Sequence, residues 1–501
     1  MRKKQLLATL VMLSLMQGSA YAQTVQKTLT AGNYNYNGDT YLTGSPIIEL
    51  GDKSDPLNIT VSSGNLYFDK TVNNIGKSNN LTFTADNIYF NNSGFYKPDT
   101  ETYLIFNADK VVFNGGTGIQ NTLGSKQIYD FNGALEFTGN FSGTAFYANS
   151  GGNYKPEDGG GTQTLNVKDG ITIHDATGNG AFVQWHFNVK TPFITVKDSS
   201  FDADGQYGAM VMMMYSDVMG EQDNTLSGKI SVENVEASSR GHFGQAMGMY
   251  FEGGRTNLDN LTVNGFSMME GYSAPITGIV LSTESVTNLN SLTINDVIGS
   301  GVNGTAYGLQ LASDDSERYG ITDVDINDVN ISNISSDNAK SFGAYVSGQS
   351  DSNNPVKIFW NSDDITITDI SGTDAGGYIG FTGSELQTEN IDIERITATE
   401  GEAVAFQASG TETTVNGNFN IDAIEGVNTA YGLVLGGGSI DGQKLQISDV
   451  KATSESGETI LIDAQLNGAL SFDSATLTPN TKDSQFKYQG QYAEAASTVQ
   501  H

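Results

Sequence analysis

One short pattern constrains this chain more than any other. Leu292-Thr-Ile-Asn-Asp-Val297 alternates apolar and polar residues and ends on an Asx residue. The same pattern starts again at Ile171, Ile194, Ile230, Leu261, Val324, Ile365, Ile391, Phe419 and Leu445. Copies lie about 30 residues apart on average, a period that marks a solenoid or a similar array. A second alternating stretch, Ala306-Tyr-Gly-Leu-Gln-Leu311, follows the first in most copies. A third precedes several of them, as in Thr256-Asn-Leu258, Val286-Thr-Asn-Leu289, Gly320-Ile-Thr322 and Val356-Lys-Ile-Phe359. Three short strands per turn make a coil of parallel strands, whose crossovers strongly prefer the right hand. The expectation is an all-β chain, a right-handed single-stranded parallel β-helix. About fifteen rungs stacked at ~4.8 Å give a rod on the order of 70 Å long.

Strand periodicity assigns faces. Leu292 and Ile294 point one way, Thr293 and Asn295 the other. Asp296 stands where the chain bends, as do Asn234, Asp328, Asp369 and Asp449, because Asx residues tolerate turn conformations. In the second strand, strict alternation puts Tyr307, Leu309 and Leu311 inside and Gly308 and Gln310 outside. Gly208, Gly248, Gly278, Gly343, Gly380 and Gly432 then join Gly308 in an outer column, with Ala405 as the exception. Such a column reflects close approach of a neighbouring loop, or a flat strip offered to a partner. The candidate interaction face beside it is Met210, Tyr250, Val280, Gln310, Tyr345 and Val434.

Composition bounds the partners. The chain has a net charge of −32, no cysteine, 59 glycines and 8 prolines. Nucleic acid and anionic membrane surfaces both need basic patches and are excluded as partners. Residues 1–22 read as a cleaved signal peptide: Arg2, Lys3 and Lys4, an apolar run from Leu6 to Met16, and a small-x-small site at Ala20 and Ala22. No later segment reaches the ~18 apolar residues of a spanning helix. The expected layout is an N-terminal cap with less regular rungs over 23–170, regular repeats over 171–477, and a polar tail or linker over 478–501.

Catalytic signals are sparse. Asp314-Asp315 and Asp363-Asp364 are the adjacent acids, and adjacent strand residues face opposite ways. Both pairs read as solvated turn acids. His174, His186, His242 and His501 show no metal-ligand spacing. There is no nucleophile elbow and no RTX nonapeptide. No catalytic residue, cofactor or metal is assigned, although turn acids could hold calcium weakly at extracellular concentrations.

A signal peptide followed by a cysteine-free, acidic, Gly/Asn/Thr/Ser-rich β-helix resembles the passenger region of Gram-negative autotransporters. The resemblance covers nearly all of the mature chain and rests on architecture and composition. It implies export, then display at the outer membrane or release, and adhesion or self-association. Glycans, a host or matrix surface, or another copy would be the partners. A translocator β-barrel normally completes such proteins, and none follows Leu477; one is expected if the chain is a fragment. The Asn-Pro-Asn-Leu-type motifs of two-partner secretion are absent. The competing class is a polysaccharide-active β-helix enzyme, a pectate lyase or polygalacturonase. Of that family's motifs only Gly241-His-Phe243 is partly present.

Overall fold

Inward-facing side chains fix the architecture. In the computed structural model, strands from successive repeats pair in parallel and in register. They form one sheet of 25 strands and one of 15. The described residues are 22–478, apart from short segments of which 150–162, 203–209, 216–225, 239–244 and 313–320 are the longer, and two brief strands beyond 484. The chain is a parallel β-helix. No helix among the described residues is long and apolar enough to cross a membrane.

A single rung shows the logic. Val286–Gly299 is one strand, followed by Ala306–Ala312. Leu289, Leu292, Ile294 and Val297 are all buried. The upstream segment expected as a separate third strand is thus fused to the next. The same fusion gives Arg255–Met268, Ile321–Ser336 and Lys357–Gly372. Nearer the N-terminus the two remain separate, as Leu57–Val61 and Leu66–Asp69.

The fused strand bends at one residue with positive φ. That residue is Asp175 (48°), Asp198 (47°), Asn234 (51°), Asp296 (57°), Asn333 (55°), Asp369 (59°) or Asp449 (49°) in successive rungs. Gly265, Arg395 and Ala423 take the place in the others. Left-handed backbone costs most L-residues about 1–2 kcal/mol and short polar side chains less, which explains the Asx enrichment.

The repeat beginning at Val324 needs correction. Leu292 pairs with Val329, not Val324, and Val297 with Ile334. The bend therefore falls at Asn333, and Asp328 lies within the straight part. Two overlapping hexads share Val329, and both carry the pattern. The second leaves the shorter connection to Ser341–Ser347.

Core filling changes along the axis. Phe68, Phe90, Phe113 and Phe137 stack ring on ring at 4.5–5.1 Å. Beyond them the same column continues as Ile173, Val196, Val232, Val263 and Ile294. Pairing runs through this change, from Leu135 to Ile171 and onward. Past Leu477, where a polar tail is expected, Gln485–Tyr488 still pairs with Glu458–Gln465.

The glycine column is inside, contrary to the expectation from strict alternation. A Cβ on Gly308 would lie 2.6 Å from Ile331 Cγ2 and 2.6 Å from the Gly343 carbonyl oxygen. Gly278 faces Ile294 in the same way, Gly343 faces Ile367, and Gly377 faces Ile393. The isoleucines of one sheet fill the space that glycines of the other leave bare. Register also replaces two members. Gly377, not Gly380, aligns with Gly343, and Val211 occupies the place given to Gly208, itself outside the described residues. Gly308→Val should lower stability to urea by about 1–3 kcal/mol, as overpacking does. Gln310→Val should change it by less than about 0.5 kcal/mol. Equal stability of the two variants would refute the inward placement.

Candidate interaction face

Two consecutive inward residues set the outer face of the smaller sheet. In Ala306–Leu311, Ala306, Gly308, Leu309 and Leu311 are buried, and only Tyr307 and Gln310 are half-exposed. Tyr307 therefore points outward, not inward. Outward residues form two columns running up the rod. Tyr250, Val280, Gln310, Tyr345, Ile379, Gln407 and Val434 stand in register in one of them. Tyr250, Val280, Gln310, Tyr345 and Val434 thus do share a column. Met210 does not: it pairs with Met247 in the second column, and Met213 is the partner of Tyr250. The sequence pattern aligns Gly208 with the glycine column, whereas in that rung the inner position holds Val211.

The face has two parts. Val183, Met247, Tyr250 and Val280 form a buried cluster of their own, distinct from the core, with Tyr147 packed against it. The Tyr250 hydroxyl donates to Glu252. From Tyr307 onward the face is half-open. Tyr307 stacks on Phe342 at 5.4 Å, and Tyr345 meets Tyr307 at 5.5 Å with ring planes 76° apart. Phe381 lies 5.3 Å from Tyr345 at 51°. Gly376, next to Phe342 in its column, lets that ring settle: a Cβ there would come within 2.8 Å of Phe342 Cδ1. Burial raises the phenol pKa of both Tyr307 and Tyr345, so both remain hydroxyl donors.

Two amides punctuate the open part. Gln310 Oε1 accepts from Thr277 Oγ1 at 3.2 Å, which turns its NH2 group outward as a donor. Gln407 Nε2 donates to Ser409 Oγ at 2.9 Å and presents its oxygen. From Tyr307 to Val434 the two columns themselves include no acid and no base, although Glu402 is exposed at the start of its strand beside them and Lys340 pairs with Asp374 at their edge. The larger sheet differs sharply, with Asp392, Glu394 and Asp422 on its outer side. There burial, then Glu394 and Asp422, raise the Asp392 carboxyl pKa.

The bend column lines a groove of about 700 Å³ bordered by Asp296, Ile298, Asp369, Arg395, Glu425, Asp449 and Lys451. It combines acids with basic residues, as a polysaccharide-cleaving site would. Arg395 grips Asp369 through two bonds of 2.7 and 3.0 Å, and its guanidinium holds that carboxyl below the usual range. Lys451 pairs with Glu425 at 3.1 Å. The bend acids Asp296 and Asp369 are two rungs apart, about 10 Å at the backbone by strand spacing, and Glu425 and Asp449 line the same groove. Asp363 and Asp364 are exposed within the strand Lys357–Gly372, not in a turn, and Asn390 Nδ2 donates to Asp364 at 2.7 Å. Asp314-Asp315, His186, His242 and His501 lie outside the described residues. Among the described residues no cluster of three or more histidines and carboxylates could hold a metal ion.

His174 joins two rungs. Its Nε2 is 3.2 Å from Glu136 and its Nδ1 2.8 Å from Asp175, while Lys110 reaches Glu136 at 2.8 Å. Lys197 is its in-register neighbour in the next rung. Partial burial alone would lower the imidazole pKa, but the hydrogen bonds to Asp175 and Glu136 carry it above its ordinary value. For Glu136, burial is outweighed by hydrogen bonds from Lys110 and His174, which hold its pKa down.

No family model, curated protein or solved structure matches the chain.

A raised histidine pKa adds stability that is fully present below the unfolded value of ~6.5 and lost as pH rises through the folded one. The stability advantage of the parent over His174→Gln should accordingly be largest near about pH 6 and shrink to nothing by about pH 9, with a ceiling of ~1 kcal/mol for so exposed a cluster. Urea unfolding across that range is the measurement; an advantage that grows with pH would contradict it.

Proposed function

We propose that the chain is an exported, rod-shaped binding protein that acts in adhesion or self-association through its lateral faces, and not an enzyme. The carrying observation is an uncharged aromatic strip on a rod whose net charge is −32. Apolar, uncharged patches on otherwise charged surfaces mark contact sites. Repetition at rung spacing suits many weak contacts, which avidity converts into firm attachment. The leader-like start supports export, and display at the cell surface fits the composition.

The groove at the bend favours a second reading, a polysaccharide lyase or hydrolase. It is the weaker one, because the groove's cations, Arg395 and Lys451, are tied to acids. Beads coated with the mature chain should clump or be retained on matrix-coated surfaces, and Tyr307→Asp/Tyr345→Asp should reduce this several-fold. Incubation with polyuronates should release no unsaturated products. Their appearance, or undiminished retention of the double variant, would reject the proposal.

A further inference from the structure

We infer that the open part of the strip, from Tyr307 to Val434, binds an uncharged polysaccharide laid along the rod axis; this rests on the strip being a contact surface, as argued above. Charge comes first. The two columns hold no basic residue to attract an anionic glycan, Lys340 at their edge is tied to Asp374, and Glu402 and the acidic rod repel uronate, sulfated and sialylated chains. A neutral chain meets neither obstacle.

Ring geometry and polar atoms point the same way. Tyr345 is half-exposed and lies at 76° to Tyr307, 56° to Phe342 and 51° to Phe381, out of the stack that Tyr307 and Phe342 make. Phe342 leans over the bare Gly376. A half-exposed aromatic cluster of this kind offers apolar surface to the C–H side of a pyranose ring. Gln310 supplies a donor and Gln407 an acceptor, three rungs and about 14 Å apart, to meet sugar hydroxyls.

Extent decides between a glycan and a second copy of the chain. The strip spans about 20 Å along the axis and about 10 Å between its two columns, from rung spacing and rise per residue. Two such strips face to face would bury about 400 Å² in all, against roughly 1,200–2,000 Å² for specific protein interfaces. That area is too small for a stable pair, but it seats a short run of sugars. A polymer gains by touching it at several points.

The experiment is affinity electrophoresis of the whole chain in native gels containing neutral polysaccharides (hydroxyethylcellulose, xyloglucan, galactomannan) or polygalacturonate. Retardation by at least one neutral polymer and none by polygalacturonate is expected. Tyr345→Ala should weaken it by about five- to tenfold, while Tyr345→Phe, which keeps the ring, should preserve most of it. Gly376→Val, which displaces Phe342, should weaken it as well, with unfolding midpoints reported for every variant. No retardation in any neutral gel overturns the inference, as does equal retardation of parent and Tyr345→Ala. Concentration-dependent sedimentation without polymer, abolished by Tyr345→Ala, would make a second copy the occupant and overturn it too. Bead retention without retardation by any polysaccharide overturns this inference and leaves the adhesion proposal standing. Cleavage of the polymer would sink both.

Discussion

Everything in this molecule depends on the match between isoleucine on one sheet and glycine on the other. The rungs are thin, so where an isoleucine fills this level from one sheet the facing strand has little room for a side chain. Ile294, Ile331, Ile367 and Ile393 take the space, and Gly278, Gly308, Gly343 and Gly377 yield it. Interiors are packed to near-crystalline density, and a single methyl in the wrong place is felt. Where the Gly position is filled by Ala405, Val211 or Leu461, those residues are also buried. The position is therefore defined by its inward direction, with glycine its commonest occupant.

That inward turn has a second effect. Because Gly308 and Leu309 both face in, the outward residues Tyr307 and Gln310 stand three apart, not two. Two parallel columns result, with a shallow strip between them. Acids are crowded onto the larger sheet and the bend, where Asx residues also serve the left-handed turn. The two outward columns of the smaller sheet are left without charge from Tyr307 to Val434. One rod thus presents chemically distinct sides.

The fold was legible in the sequence because the inward set of Leu292, Ile294 and Val297 repeats with only conservative changes. Its details were less so. Val324 and Val329 begin equally good copies, and the choice rests on how much chain is left to reach the next strand. The upstream segment fuses with the first strand because no turn residue has to intervene between Leu289 and Leu292, which a pattern of short alternating runs does not reveal. At the candidate face, Tyr250, Val280, Gln310, Tyr345 and Val434 do share a column, but Tyr250 and Val280 are buried in it. Tyr307, Gly308 and Met210 do not lie where alternation puts them. Alternation assumes a period of two, and a doubled inward residue breaks it without leaving a polar residue to signal the break.

The outward columns carry a consequence for how such a protein can change. Strand pairing runs from rung to rung through backbone atoms, so the side chains of Tyr345, Ile379, Gln407 and Val434 contribute nothing to the sheet's hydrogen bonding. They can be exchanged one at a time without disturbing the interior. A lineage carrying this scaffold can redraw its exterior freely while its inner columns stay fixed. Variation among relatives should then collect at positions three apart on the smaller sheet, leaving a record of which surface has been under pressure to differ.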